Sequence, residues 1–351
     1  MFSKNVPGNI NRKALCLTVL LVIAALGAHA RGHFDSEAGF EWELSCDGGS
    51  VIITGYTGTG TDIWIPPRIQ GLPVTGIGDY AFSEEGMGYG VVQAQRQFTS
   101  VVIPGTVTHI GVQAFRGNLL AHVSIPPSVT RIGSAAFCSN RLTDITLSYG
   151  LEHLSGWAFC CNRLTDVSIP GSVTHIGAFV FAQNRLESVV IPDSVAHIGN
   201  GAFFDNRLES IVVPDSVVHI GDGAFSGNRL ESVVIPDSVR HIGAGAFFRN
   251  RITYISIGQG LSEITDGVFG SNLLEAVTIP DTVTVIWQGT FANNPLASVS
   301  IGGNVAIGGT LPHIADLDDI FGTSFADFYE SQDRRAGTYT YSDGVWSAEF
   351  R

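Results

Sequence analysis

A single period of 22 residues limits this chain more than any other feature. One strand-ending hydrophobic position recurs at Ile103, Ile125, Leu147, Ile169, Ile191, Val213, Ile235, Ile257, Ile279 and Ile301. Phenylalanine recurs at 115, 137, 159, 181, 203, 225, 247, 269 and 291, and asparagine at 118, 140, 162, 184, 206, 228, 250, 272 and 294. A period this strict marks a solenoid, in which each unit completes its core only against its neighbours. The aliphatic residues are mainly Val and Ile, which suit strands. Only 15% of residues are charged and 42 are Gly, which fits tight turns rather than helical surface.

The unit is clear in residues 206–226. Leu208, Ile211 and Val213 form an L-x-x-I-x-V strand whose alternate residues point inward. Pro214-Asp215-Ser216 reads as a turn, with Pro fixing φ and Asp bonding its own backbone. Val217 and Ile220 make a second short extended segment, and Gly221 and Gly223 permit another corner. Ala224 and Phe225 then fill the interior before Asn228 opens the next rung. Each rung thus offers seven inward apolar groups, a continuous core once rungs stack ~4.8 Å apart. The asparagines should use their side-chain amides to bond backbone groups of adjacent rungs.

With its motif L-x-x-V-x-I-P-x-x-V-x-x-I-G-x-x-A-F, as in residues 186–203, the chain resembles the BspA-like leucine-rich-repeat proteins over residues 51–301. It departs from the commoner leucine-rich pattern, since Asn precedes the strand and the outer side looks extended rather than helical. The expected fold is therefore a mainly β repeat solenoid of ~22-residue rungs with two short strands each, closed by N- and C-terminal caps. The resemblance implies a surface or exported protein of host-associated bacteria, acting as an adhesin or interaction scaffold.

The ends read differently from the array. Lys4, Arg12 and Lys13 precede an apolar run at 15–26 and then Ala28-His29-Ala30, the pattern of a signal peptide over residues 1–30. Cleavage there would move the net charge from −13 to −16 and remove every lysine. So acidic a chain repels phosphate backbones, which disfavours nucleic acid. No internal apolar stretch reaches the length of a membrane span. Residues 31–97 read as an N-terminal cap, first rung and inserted polar loop (Ser83 to Gln97). Residues 98–301 are the array. Residues 302–351 read as a C-terminal cap. There Phe321, Phe325 and Phe328 fall at helical spacing, with Ser324 and Asp327 as a capping pair, and Tyr339-Thr340-Tyr341 and Val345-Trp346 flank a hairpin turn at Asp343-Gly344.

Several polar columns follow from the period. His109, His153, His175, His197, His219 and His241 share one turn position, six of the ten histidines. They read as a duplicated packing residue, with metal binding or pH sensing as sharper alternatives. Five adjacent protonations would loosen the array below neutral pH. Arg141, Arg163, Arg185, Arg207, Arg229 and Arg251 form a column beside Glu187, Glu209 and Glu231, which predicts cross-rung ion pairs. Asp193, Asp215 and Asp237 stack at the turn, which turn chemistry explains without Ca²⁺. Cys138 and Cys160 are one period apart, within disulfide reach or packed as free thiols.

The main-strand face is the expected binding surface. One outward column holds His122, Asp144, Asp166, Ser188, Ser210, Ser232 and Tyr254; the next holds Val102, Ser124, Thr146, Ser168, Val190, Val212 and Val234. No phosphate loop, H-E-x-x-H or nucleophile-elbow motif is present, and His, Asp and Ser come as ladders rather than one preorganised constellation. The expectation is a non-enzymatic scaffold without metal or cofactor, whose partner is a protein such as host matrix or another cell-surface protein. Self-association in an envelope structure is the alternative.

Overall fold

The computed structural model describes residues 37–83, 97–307 and 325–351. The signal-peptide segment, most of the inserted loop, and Phe321 with Ser324 lie outside the described residues. The chain forms a mainly β solenoid of about 11 turns with almost no helix. Among the described residues no helix is long and apolar enough to cross a membrane.

Two parallel ladders run along the stack. In the main ladder, His122–Ser124 pairs with Asp144–Thr146, Ser232–Ile235 with Tyr254–Ile257, and Ala276–Thr278 with Ser298–Ile301, each offset by one period. In the second, the two-residue strands His153–Leu154, His175–Ile176, His197–Ile198, His219–Ile220 and His241–Ile242 pair in sequence. In the middle rungs the main segment keeps its in-and-out alternation, but a single bridge, Ser168 to Val190, marks the pairing.

The core is built from columns. The nine repeat phenylalanines from Phe115 to Phe291 are all 0% exposed. Their rings stack nearly parallel, for example Phe203 on Phe225 at 5.4 Å and Phe225 on Phe247 at 5.4 Å. Offset stacking at this separation adds to area burial. Beside them each asparagine ties three places together. The Asn206 amide nitrogen donates to the Phe203 carbonyl of its own rung (3.1 Å) and to the Phe181 carbonyl of the preceding one (2.9 Å). Its oxygen accepts from the Leu186 N–H at 3.0 Å. Asn140, Asn162, Asn184, Asn228, Asn250 and Asn272 repeat the arrangement. The column therefore pairs buried backbone groups that the corner would otherwise orphan.

The corners differ from the sequence expectation in one respect. The turn bond runs from the Val217 N–H to the Pro214 carbonyl (3.0 Å), and Ser216 donates to the Val195 carbonyl of the rung before (2.7 Å). Among the described residues Asp193 and Asp215 make no side-chain hydrogen bond, so the serine, not the aspartate, secures the turn. Asp237 does accept a bond, but from the Gln259 N–H one rung on (2.7 Å). Gly223 sits at φ +57, the left-handed region that favours glycine. Gly221 is needed for another reason: a Cβ there would lie 2.5 Å from the Asn200 backbone nitrogen.

The flanks add strands to the ends of the sheets. Phe40–Leu44 runs antiparallel to Val51–Tyr56, which pairs in parallel with Leu72–Ile77. At the other end Gly337–Ser342 lies antiparallel on Ser298–Ile301, and Val345–Phe350 folds back on it. The turn between them places Asp343 at φ +53 and Gly344 at φ +82, as a tight hairpin requires. Helix Phe325–Ser331 packs its Phe325 and Tyr329 against Tyr339, all three fully buried. The Tyr329 hydroxyl donates to the Gly302 carbonyl (2.7 Å) and accepts from the Val305 N–H (3.2 Å), stitching the helix to the last rung.

Candidate binding face

Alternation in the main segments fixes what faces out. In rung 208–213 Leu208 and Val213 are buried, and Glu209, Ser210 and Val212 are exposed. Stacking turns each outward position into a line. The column chosen from the sequence is exposed at every member: His122, Asp144, Asp166, Ser188, Ser210, Ser232 and Tyr254. Only its first two members are drawn together, with His122 Nδ1 2.5 Å from Asp144 Oδ2. Asp166 instead accepts from the backbone N–H of Val167 (2.9 Å). Tyr254 is 60% exposed and stands in register beside Ser232.

The adjacent column carries the stronger signal. Val190, Val212 and Val234 follow one another in consecutive rungs and are 77%, 79% and 58% exposed. An isolated exposed valine needs no explanation, whereas a line of three on a rigid face is a patch that water solvates poorly. Strand alternation in the sequence already put this column outward; the exposures show how fully its three valines stand in solvent.

At the start of the same segments the arginine column is exposed throughout, but the predicted ion pairs are not formed. Among the described residues no guanidinium nitrogen of this column lies within 4 Å of a carboxylate oxygen of Glu187, Glu209 or Glu231. Exposed pairs gain too little, roughly 0–1 kcal/mol, to hold two long side chains in one geometry. Arg185, Arg207 and Arg229 line instead a polar groove of about 410 Å³ with Gln183 and Asp205.

The histidine column lies on short strands, not at a turn: His153, His175, His197, His219 and His241 each open a strand of the second ladder, and His109 opens one paired with Arg131–Ile132. Its imidazoles stack, His175 on His197 at 4.6 Å and His219 on His241 at 4.7 Å. Burial, then the neighbouring His197 and His153, push His175 below the usual histidine pKa. His219 is lowered by burial, His241 and His197, against a weaker opposing pull from Asp222. Among the described residues the one group of three close metal-ligating atoms is elsewhere, in the thiols of Cys138, Cys160 and Cys161.

Known proteins share this architecture. The model of a family described as the BspA type leucine rich repeat region matches residues 75–208 and 197–310, in 6 copies. No curated protein matches the chain. Among solved structures, a leucine rich cell surface protein of Faecalibacterium prausnitzii is 25% identical over 80% of this chain and 96% of its own, with a TM-score of 0.48. The pneumococcal vaccine antigen PcpA is 21% identical over 78% of this chain and 82% of its own, with a TM-score of 0.51, a likeness of fold. A leucine-rich repeat protein from Bacteroides ovatus is 18% identical over 80% and 91%, with a TM-score of 0.43.

Proposed function

Because the chain belongs to the BspA-type leucine-rich-repeat family, we propose that it is an exported, adhesin-like scaffold that binds another protein through its main-strand face. The family supports a protein-interaction scaffold, and the signal-peptide pattern at residues 1–30 supports export. The observation that carries the site is the line Val190, Val212 and Val234, exposed in consecutive rungs. It is flanked on the same segments by Ser188, Ser210 and Ser232 and by Glu187, Glu209 and Glu231, also exposed. An apolar stripe with a hydroxyl and carboxylate border has the anatomy of an interface: an area to desolvate and a polar rim. A protein partner such as host matrix or a cell-surface protein suits it. Repeated ladders give many equivalent shallow positions, which suit binding over catalysis.

The test pairs location with contact. Protease shaving of intact producing cells should remove the protein if it is displayed. Purified protein should bind immobilised matrix proteins or host cells, and the triple variant Val190→Ser, Val212→Ser, Val234→Ser should bind at least tenfold more weakly with an unchanged Tm. Equal binding by the variant would refute the face, and protection from shaving would refute surface display.

A further inference from the structure

The repeat breaks its own pattern where three thiols meet. The position after the core phenylalanine holds Arg116, Cys138, Cys160, Ala182, Phe204, Ser226, Phe248, Gly270 and Ala292, so cysteine fills it in two adjacent rungs alone. Cys161 follows in the next column. The three sulfurs all lie within 4.8 Å of one another. The Cys160 thiol donates to Cys138 Sγ at 2.7 Å, and the Cys161 thiol to Gln183 Oε1 at 3.0 Å. Cys138 is 7% and Cys160 1% exposed, packed with Ala182 and walled by Ala135 and Phe179, whereas Cys161 is half-buried.

We propose that Cys138 and Cys160 close a disulfide between adjacent rungs, and that Cys161 is the entry thiol through which an external small-molecule disulfide oxidises this buried pair. The Cys161 thiolate attacks one sulfur of the external disulfide, forming a mixed disulfide and expelling one external thiolate. The Cys138 thiolate attacks Cys161 Sγ and expels the second. Cys160 then attacks Cys138 Sγ, the Cys138–Cys161 bond breaks, and Cys161 leaves as a thiolate. One external S–S bond has become two thiols, and one internal S–S bond has formed. Two electrons pass to the external disulfide, and the two protons of Cys138 and Cys160 end on its thiols.

Two observations support this order of events, and a third favours a bond over a metal. The hydrogen bond from Cys160 holds the Cys138 thiol below its ordinary pKa, while burial holds the Cys161 thiol above its own, so attack by Cys161 is the slow step and capture by Cys138 the fast one. Burial keeps a bulky oxidant from Cys138 and Cys160 but not from Cys161. Two thiolates sharing one zinc sit about 3.8 Å apart, given Zn–S bonds of about 2.3 Å. The 2.7 Å contact is closer than that and favours the bond over a shared metal. Direct pairing of the sequence neighbours Cys160 and Cys161 would close a strained small ring, so Cys138 rather than Cys160 resolves the mixed disulfide on Cys161.

The experiment uses the full chain carrying Cys16→Ser and Cys46→Ser, which leaves the triad as its thiols. Reduced protein is mixed with glutathione disulfide, quenched by alkylation at intervals and mapped by mass spectrometry. The expected record is a transient glutathione adduct on Cys161, then a Cys138–Cys160 bridge with Cys161 alkylated. Adding Cys161→Ser should slow closure by glutathione disulfide at least tenfold, yet leave closure by the small oxidant diamide unchanged, which also shows that the pair is still in place. No Cys138–Cys160 bridge with either oxidant would overturn the proposal, as would closure by glutathione disulfide at the same rate without Cys161. So would a reduced triad that retains one equivalent of Cd²⁺ through gel filtration and resists bridging.

Discussion

At the scale of residues, the asparagine column shows how one side chain can decide a corner. Asn206 fills both faces of its amide with backbone partners from three segments, and it is buried while doing so. Replacing it by Ala would leave the Leu186 N–H without a partner in a place water does not reach, while the Phe181 carbonyl keeps the Asn184 amide at 3.1 Å. That one orphan costs about 1–3 kcal/mol. Asn206→Ala should therefore lower unfolding free energy by about 2 kcal/mol in denaturant melts, more than any exposed Arg-column substitution. A loss below about 1 kcal/mol would mean that the amide is dispensable.

At the scale of elements, the second ladder carries a pH dependence whose sign can be worked out. His175 and His219 have folded pKa values below the ordinary 6.5, so the unfolded chain binds protons more readily. Stability from this source is full above that value and is lost as pH falls from about 6.5 toward the lowered folded values. Thermal melts should show Tm falling between pH 7.5 and 5, and the double variant His175→Gln, His219→Gln should flatten that fall. A Tm indifferent to pH across this range would remove the ladder's role. The C-terminal hairpin has a separate task. Gly337–Ser342 occupies the open edge of Ser298–Ile301. A chain ending before Gly337 would bare that edge and should sediment with concentration-dependent association, whereas the full chain should not. Equal sedimentation of the two would show that the edge needs no cover.

At the scale of the molecule, stability and recognition both follow from repetition. Each rung touches its neighbours, so stability is a sum of local units and nearest-neighbour contacts. The phenylalanine stack runs through nine rungs, and it holds the outward lines of the main face in register. That rigidity lets three valines act as one patch. Rungs whose outward residues have diverged, such as those holding the His122–Asp144 pair, give the same face a different chemistry elsewhere.

The period, the inward columns and the family were all legible in the sequence, because a strict repeat writes each tertiary contact as a fixed spacing. Phe203 stacks on Phe225 for the same reason that 225 is 203 plus one period. The asparagine role was legible too, since a polar residue fixed among apolar ones must find backbone partners. What the spacing could not supply was orientation within a rung. Whether Asp215 or Ser216 would secure the turn, whether Arg207 would reach Glu209, and how closely Cys161 would approach the pair beneath it depend on side-chain directions at corners. Those directions are set by backbone angles and by the neighbouring rung, and they exist only once the stack is built. Sequence alone determined which residues lie over one another; tertiary structure decided which of them touch.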